Sequence, residues 1–432
     1  MRRLFIAAAA LLAAISCSSD RSGVLKVYNW SDYIGEGIIS EFEQWYKEQT
    51  GEDITVVYQT FDVNETMLSK IEKGHEDYDV VCPSDYIIER MLNSGLLLPL
   101  DFASIPDSIN YIAKNRSPYI EKMFREINPE IDANDYSVAY MWGTTGIIYN
   151  TKYVTDEEAS TWDVISNPKF KDQVLIKDAP RDVYGPVLIY LKQKELKEGK
   201  VTLQELMGDS SDESIAAVEE YLKSAKDNVL GWEADFGKDQ MTKGRGVLSL
   251  NWSGDAVWAI EEAAAVGVDL KYVVPEEGST VWFDGWVIPK YAKNVKAATY
   301  FIDFMCRTDI AIRNMDETGY VASNGAWEVL ESQIDEEQDA VDLSYFFGEG
   351  ADSVHVDGTL YPDKAVIERC ALEHDWGADT DKLLAMWSRV KGDNANSMTY
   401  IIIGALLLAI IAAAVVSAQK KRSRHSSKRR RR

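Results

Sequence analysis

Cysteine and histidine are scarce, with four of each in 432 residues. Cys17, Cys82, Cys306 and Cys370 form no Cys-x-x-Cys pair, which excludes ribbon-type zinc sites and thioredoxin-like redox chemistry. Cys82 and Cys306 sit among apolar neighbours (Val80-Val81-Cys82-Pro83, Phe304-Met305-Cys306) and read as buried free thiols. The histidines, His75, His355, His374 and His425, are scattered, so no metal site is expected. There is no Gly-x-Ser-x-Gly, no His-Glu-x-x-His and no phosphate-binding loop, and no catalytic residue or cofactor is assigned. Positive charge is also short. Of 46 Lys and Arg, nine lie in the last fourteen residues and two are Arg2 and Arg3; the remaining 35 face 70 acidic residues. So acidic a body is a poor partner for nucleic acid and suits a small cation drawn in by long-range attraction.

The two ends stand apart from this body. Residues 1–17 run from Arg2-Arg3 through twelve apolar or small residues to Ser16-Cys17, the layout of an export signal. Ala14-Ile15-Ser16-Cys17 resembles a bacterial lipoprotein processing site, which would make Cys17 the lipidated residue; an uncleaved anchor is the alternative. Residues 399–418 are apolar or small over about the ~20 positions that cross a bilayer. The basic residues 419–432 behind them read as a stop-transfer tail held on the cytoplasmic side. The expectation is an exported body, tied to the membrane at the C-terminal helix and through a lipidated Cys17, with 392–398 as linker.

Within the body, short β-type runs alternate with helical patterns. Val24-Leu25-Lys26-Val27-Tyr28 reads as a buried strand, and Ile38, Ile39, Phe42, Trp45 and Tyr46 recur at helical spacing. Strands are also expected at 53–58, 78–82, 174–176 and 247–250, with helices starting near Val63, after Tyr86, after Asp255 and at Ala297. Alternation on this scale implies α/β lobes with parallel sheets. The longer runs 137–149 and 281–289 read as crossovers between two lobes, and the acidic stretch Glu328 to Glu349 as solvated helix and loop.

Five strand ends or crossovers bring acids, mostly beside a ring: Trp30/Asp32/Tyr33, Asp85/Tyr86, Asp178/Asp182, Trp252/Asp255 and Trp282/Asp284. Open α/β folds place their ligands at strand ends. A primary ammonium has three donors and a full charge, and is well served by a carboxylate and an aromatic face. A linear diamine needs that arrangement twice, with flat rings along its methylenes.

Tyr28-Asn29-Trp30-Ser31-Asp32-Tyr33, Asn64-Glu65-Thr66-Met67, Tyr78-Asp79-Val80-Val81, Pro83-Ser84, Tyr140-Met141-Trp142-Gly143, Trp282-Phe283-Asp284 and Glu317-Thr318-Gly319-Tyr320 carry a closer likeness. Through them the body, from about Val24 to Lys391, resembles the bacterial spermidine/putrescine-binding proteins, extracytoplasmic receptors of polyamine ABC importers. The resemblance implies a two-lobed periplasmic-binding-protein fold of type II, each lobe a sheet flanked by helices, with the ligand in the cleft between them. It implies lobe one at 24–136 and 283–322 and lobe two at 137–282 and 323–391. Trp30, Ser31, Asp32, Tyr33, Ser84, Asp85 and Tyr86 would be lobe-one contacts. Asp182, with Asp178 as a second acid, Trp252, Asp255, Trp282, Asp284 and Tyr320 would complete the site, and Glu373 is a further candidate. Asp255 resembles the putrescine-preferring branch. The partners implied are a polyamine and an ABC permease with its cytoplasmic ATPase. Alternatives are a receptor for another organic cation and a carboxylate-based hydrolase.

Overall fold

The computed structural model describes residues 21–233 and 236–392. The expected signal with Cys17, the span 399–418, the tail 419–432 and all of the linker but Gly392 lie outside them. Among the described residues no helix is long and apolar enough to cross a membrane.

The first elements follow the expected alternation. They are β1 (Val24–Trp30), α1 (Ile38–Thr50), β2 (Thr55–Phe61), α2 (Asn64–Glu72), β3 (Val80–Val81) and α3 (Asp85–Asn93). Helix α1 buries Ile38, Phe42, Trp45 and Tyr46, the stripe its 3.6-residue period puts on one face. Strand β1 lies between β2 and β3, parallel to both. The second set is β4 (Ser137–Asn150), β5 (Val174–Lys177), α4 (Pro180–Leu191), β6 (Val229–Glu233), β7 (Leu248–Trp252), α5 (Ser253–Ala265), β8 (Leu270–Val273) and β9 (Ser279–Val287). Here β5 lies between β6 and β7, again parallel.

The two parallel groups belong to one sheet path, β2-β1-β3-β9-β4-β7-β5-β6. The joint is made by the two runs read as crossovers. Strand β4 has fourteen residues; Ser137 to Thr144 pair antiparallel with β9, and Thr145 to Tyr149 with β7. One strand thus serves both groups. All nine residues of β9 are buried, Asp284 among them. A charged residue in the middle of a covered strand needs a purpose.

Next come α6 (Val295–Met305), α7 (Thr308–Thr318), β10 (Val321–Ala322), β11 (Ala340–Val341), β12 (Val354–His355) and β13 (Cys370–Leu372). The stretch from Glu328 to Glu349 departs from its expected solvated character. Val329, Leu330, Leu343 and Phe346 are fully buried, and Phe346 stacks on Trp142 with centroids 5.2 Å apart. Val329, Leu330, Leu343, Phe346, Val356 and Tyr361 pack in the apolar cluster that also holds β1, β3 and α1. A separate cluster, with Ile148, Leu175, Met241, Ala256 and Leu270, packs within the second group. The described residues end in the helix α8 (Thr380–Gly392).

Candidate ligand-binding cleft

The parallel strands deliver their C-terminal ends to the place where β9 crosses between the two groups. Strand β1 ends at Trp30, whose ring packs on Phe61 at 4.5 Å. The chain then turns through Asp32, held at φ 52°, a left-handed conformation that Asp tolerates better than most residues. That turn points Tyr33 inward, and its hydroxyl donates to Asp284 Oδ2 at 2.8 Å. Ser31 and Asp32 remain exposed, with Ser31 Oγ donating to Asp62 at 2.8 Å. They stand at the rim.

At the end of β3, Ser84 Oγ donates to the other oxygen of Asp284, Oδ1, at 2.7 Å. Asn64 of α2 bonds both Ser84 Oγ (3.0 Å) and the Tyr86 hydroxyl (2.9 Å), fixing the pair. Asp85 opens α3 and is almost fully buried. It accepts from the backbone N–H of Phe283 at 3.0 Å and of Tyr86 at 2.6 Å. It therefore ties α3 to β9, with both oxygens occupied by backbone.

The second group supplies the opposite wall. Trp252, at the end of β7, donates its indole N–H to Asp182 of α4 at 2.6 Å. Trp282 of β9 meets Trp252 edge-on at 6.4 Å and Tyr320 at 5.6 Å, and Tyr320 meets Tyr33 at 5.4 Å. The Tyr320 hydroxyl donates to Asp255 Oδ1 at 3.1 Å. Rings from both groups thus form one wall. Two glycines make that packing feasible. A Cβ on Gly143 would lie 2.6 Å from both Trp282 and Ser253, and one on Gly254 would lie 2.3 Å from the Tyr320 ring. Gly254→Ala should therefore displace Tyr320, at a cost of about 1–3 kcal/mol for overpacking. Equilibrium unfolding should show that loss, and ligand affinity should fall with it; an unaltered midpoint would contradict the close approach.

The electrostatics are lopsided. Burial pushes the Asp284 carboxyl up to about 6; the Ser84 and Tyr33 hydroxyls pull it down and the Asp182 charge pushes it up. Burial likewise raises Asp182, which the Trp252 indole and the Lys177 and Arg181 charges partly restrain. Asp85 is raised well above its usual range by burial, against the pull of two backbone N–H groups, with Asp284 and Asp182 adding to the rise. Glu373, just past β13, is driven up by burial and by the charges of Asp182 and Asp85, and its Oε1 has no hydrogen-bond partner. Four acids thus share one poorly solvated region.

Sequence reasoning missed the cations that face them. Lys177 ends β5, fully buried, with Nζ 2.7 Å from Asp255 Oδ2, 3.4 Å from Glu233 Oε1 and 4.0 Å from the Trp252 ring centroid. The Arg181 guanidinium lies 3.9 Å from both the Tyr86 and the Trp376 ring centroids and donates to the His374 carbonyl at 2.7 Å. The available signals were a lysine closing an apolar strand and an arginine beside an expected acid.

Of the expected residues, Trp30, Tyr33, Ser84, Asp85, Tyr86, Asp182, Trp252, Asp255, Trp282, Asp284, Tyr320 and Glu373 come to this region. Ser31 and Asp32 lie at its edge. Asp178 is half-buried at the end of β5, its N–H bonded to the Glu233 carbonyl at 2.7 Å.

Comparison with known proteins puts this arrangement in context. The family of bacterial extracellular solute-binding proteins matches residues 38–328. The putrescine-binding periplasmic protein PotF of Escherichia coli K12 is 30% identical over 333 residues, 74% of this chain and 83% of that protein. The spermidine/putrescine-binding periplasmic protein of the same strain is 28% identical over 380 residues, 87% of this chain and 94% of that one. Among solved structures, the spermidine/putrescine substrate-binding protein PotD of Streptococcus pneumoniae superposes with a TM-score of 0.62. It has 29% identity, covering 85% of this chain and 99% of that one.

Proposed function

Because the chain belongs to the bacterial extracellular solute-binding proteins, we propose that it captures a polyamine, putrescine or spermidine, outside the cytoplasm and hands it to an ABC permease. The observation that carries this reading is Asp284. It is a buried carboxylate held by two neutral hydroxyls, beside the buried acids Asp85 and Glu373, the half-buried Asp182 and a wall of rings. A primary ammonium on Asp284 would complete its hydrogen bonds and cancel its charge, while Trp252, Trp282 and Tyr320 lie along the methylenes. A second ammonium would fall to Asp182 and Glu373. Ser31 and Asp32 would guard the entrance, with Tyr86 and Asp85 holding the lobe-one wall in place.

The two lobes are the parallel groups joined by β4 and β9, with 329–361 counted in lobe one by their packing. Ligand would bridge them and favour the closed form, which the permease recognises. A carboxylate-based hydrolase is the weaker reading, since this family is one of solute binders. From the sequence alone, residues 399–418 and a lipidated Cys17 would tether the body beside its permease. Membrane fractionation checks this: the full chain should sediment with membranes, and recovery in the soluble fraction would contradict it.

The test of the function is to denature protein purified without added amine and identify what it releases. Putrescine or spermidine in near-stoichiometric amount is expected. Release of a different organic cation would overturn the assignment.

A further inference from the structure

Among the described residues Lys177 is the lysine with the most deeply buried side chain, and its surroundings are those of a bound amine. Its ammonium meets Asp255 at 2.7 Å and Glu233 at 3.4 Å and lies 4.0 Å from the centre of the Trp252 ring. The two acids are otherwise satisfied. Asp255 Oδ1 accepts from Tyr320 and lies 3.6 Å from Lys238 Nζ. Glu233 accepts from the Gly237 N–H at 2.9 Å and from Asn251 Nδ2 at 3.1 Å. Burial raises the Asp255 carboxyl, but the Lys177 and Lys238 charges outweigh it and leave the group below its usual range. Asp255 is a paired carboxylate. Asp284, in contrast, accepts from the Tyr33 and Ser84 hydroxyls and is drawn down also by the Trp30 indole, all of them neutral groups, and Glu373 Oε1 has no hydrogen-bond partner.

We propose that Lys177 is a specificity residue, a built-in ammonium that fills the subsite at Asp255 and Trp252. The cleft is thereby left with two acidic ends, Asp284 and the Asp182–Glu373 pair, the latter two carboxyls sharing the one nearby Arg181 charge. These ends fit the two ammonium groups of a linear diamine. A triamine carries a third charge, and its longer arm would meet the Lys177 ammonium in a poorly solvated site. Like charges juxtaposed in that way are strongly disfavoured. The inference rests on the polyamine reading and deepens it: the preferred ligand is the diamine.

The experiment compares putrescine and spermidine affinities by calorimetry, for the wild type and for Lys177→Met. The methionine keeps the unbranched length and removes the charge. Wild type should favour putrescine at least tenfold, and Lys177→Met should raise the spermidine-to-putrescine affinity ratio at least tenfold. If the single variant fails to fold, Lys177→Met with Glu233→Gln removes the matching buried acid and should show the same rise. Wild type that binds spermidine as tightly as putrescine would overturn the inference while leaving polyamine capture intact. So would a folded variant whose ratio stays within threefold of wild type. Binding of neither amine would overturn the polyamine reading itself.

Discussion

Asp284→Asn is expected to weaken putrescine binding by roughly thirty- to a thousandfold, or about 2–4 kcal/mol, the scale for losing one partner of a buried, hydrogen-bonded charge pair. The change keeps the shape of the side chain and removes its charge. Tyr33 and Ser84 bond different oxygens of Asp284, so only one of them can still donate to the amide oxygen, and the other faces an amide nitrogen, a donor where the carboxylate accepted. An ammonium arriving there finds one acceptor and no counter-charge. The empty protein, by contrast, should be as stable as wild type or slightly more so at neutral pH, because an unpaired buried carboxylate disfavours folding. Titration calorimetry and thermal unfolding of the same preparation separate the two effects. An affinity within threefold of wild type would remove Asp284 from the site.

The second large effect is with pH. Burial raises the Asp284 carboxyl from the ordinary carboxylate range to about 6, and it must be ionised to hold an ammonium. Amines stay protonated throughout this range, with ordinary values near ~10. Below about pH 6 each further unit should therefore cost up to tenfold in affinity for this one proton. Burial also raises the Asp182 and Glu373 carboxyls. Titrations near pH 6 in buffers of different ionisation heat should show protons leaving the protein as putrescine binds.

Folding stability responds to pH in the opposite sense. A carboxyl raised in the folded state takes up its proton more readily there than in the unfolded chain. The Asp284 contribution to stability therefore rises as pH falls from about 6 towards 4. The gain in melting temperature from added putrescine should shrink over the same window. Affinity that stays flat between pH 5 and 8 would contradict the account.

Much of the scaffold was legible because its strongest signals are local. The run Val24-Leu25-Lys26-Val27-Tyr28 and the stripe Ile38, Phe42, Trp45, Tyr46 appear as β1 and α1. Asp284 was visible as an acid inside an apolar, aromatic run, and the strand there is buried from end to end. Strand β6 was missed because Gly231 and Glu233 weaken its pattern, and β8 because four residues carry little periodicity. The burial of Phe346 depends on Trp142, some two hundred positions away, so an acidic local window gave no hint of it. The role of Lys177 was hidden for the same reason, since Asp255 and Glu233 reach it only through the β5–β6 and β5–β7 pairings. Local pattern announced which acids to expect, while chain topology decided which of them were already neutralised.

Capture of a polyamine is most directly tested by calorimetric titration of the purified protein with putrescine and with spermidine at pH 7.5 and fixed salt. One-to-one binding of putrescine at micromolar affinity or tighter is the predicted result. A folded sample that gives no binding heat with either amine, in two buffers of different ionisation heat, would contradict it.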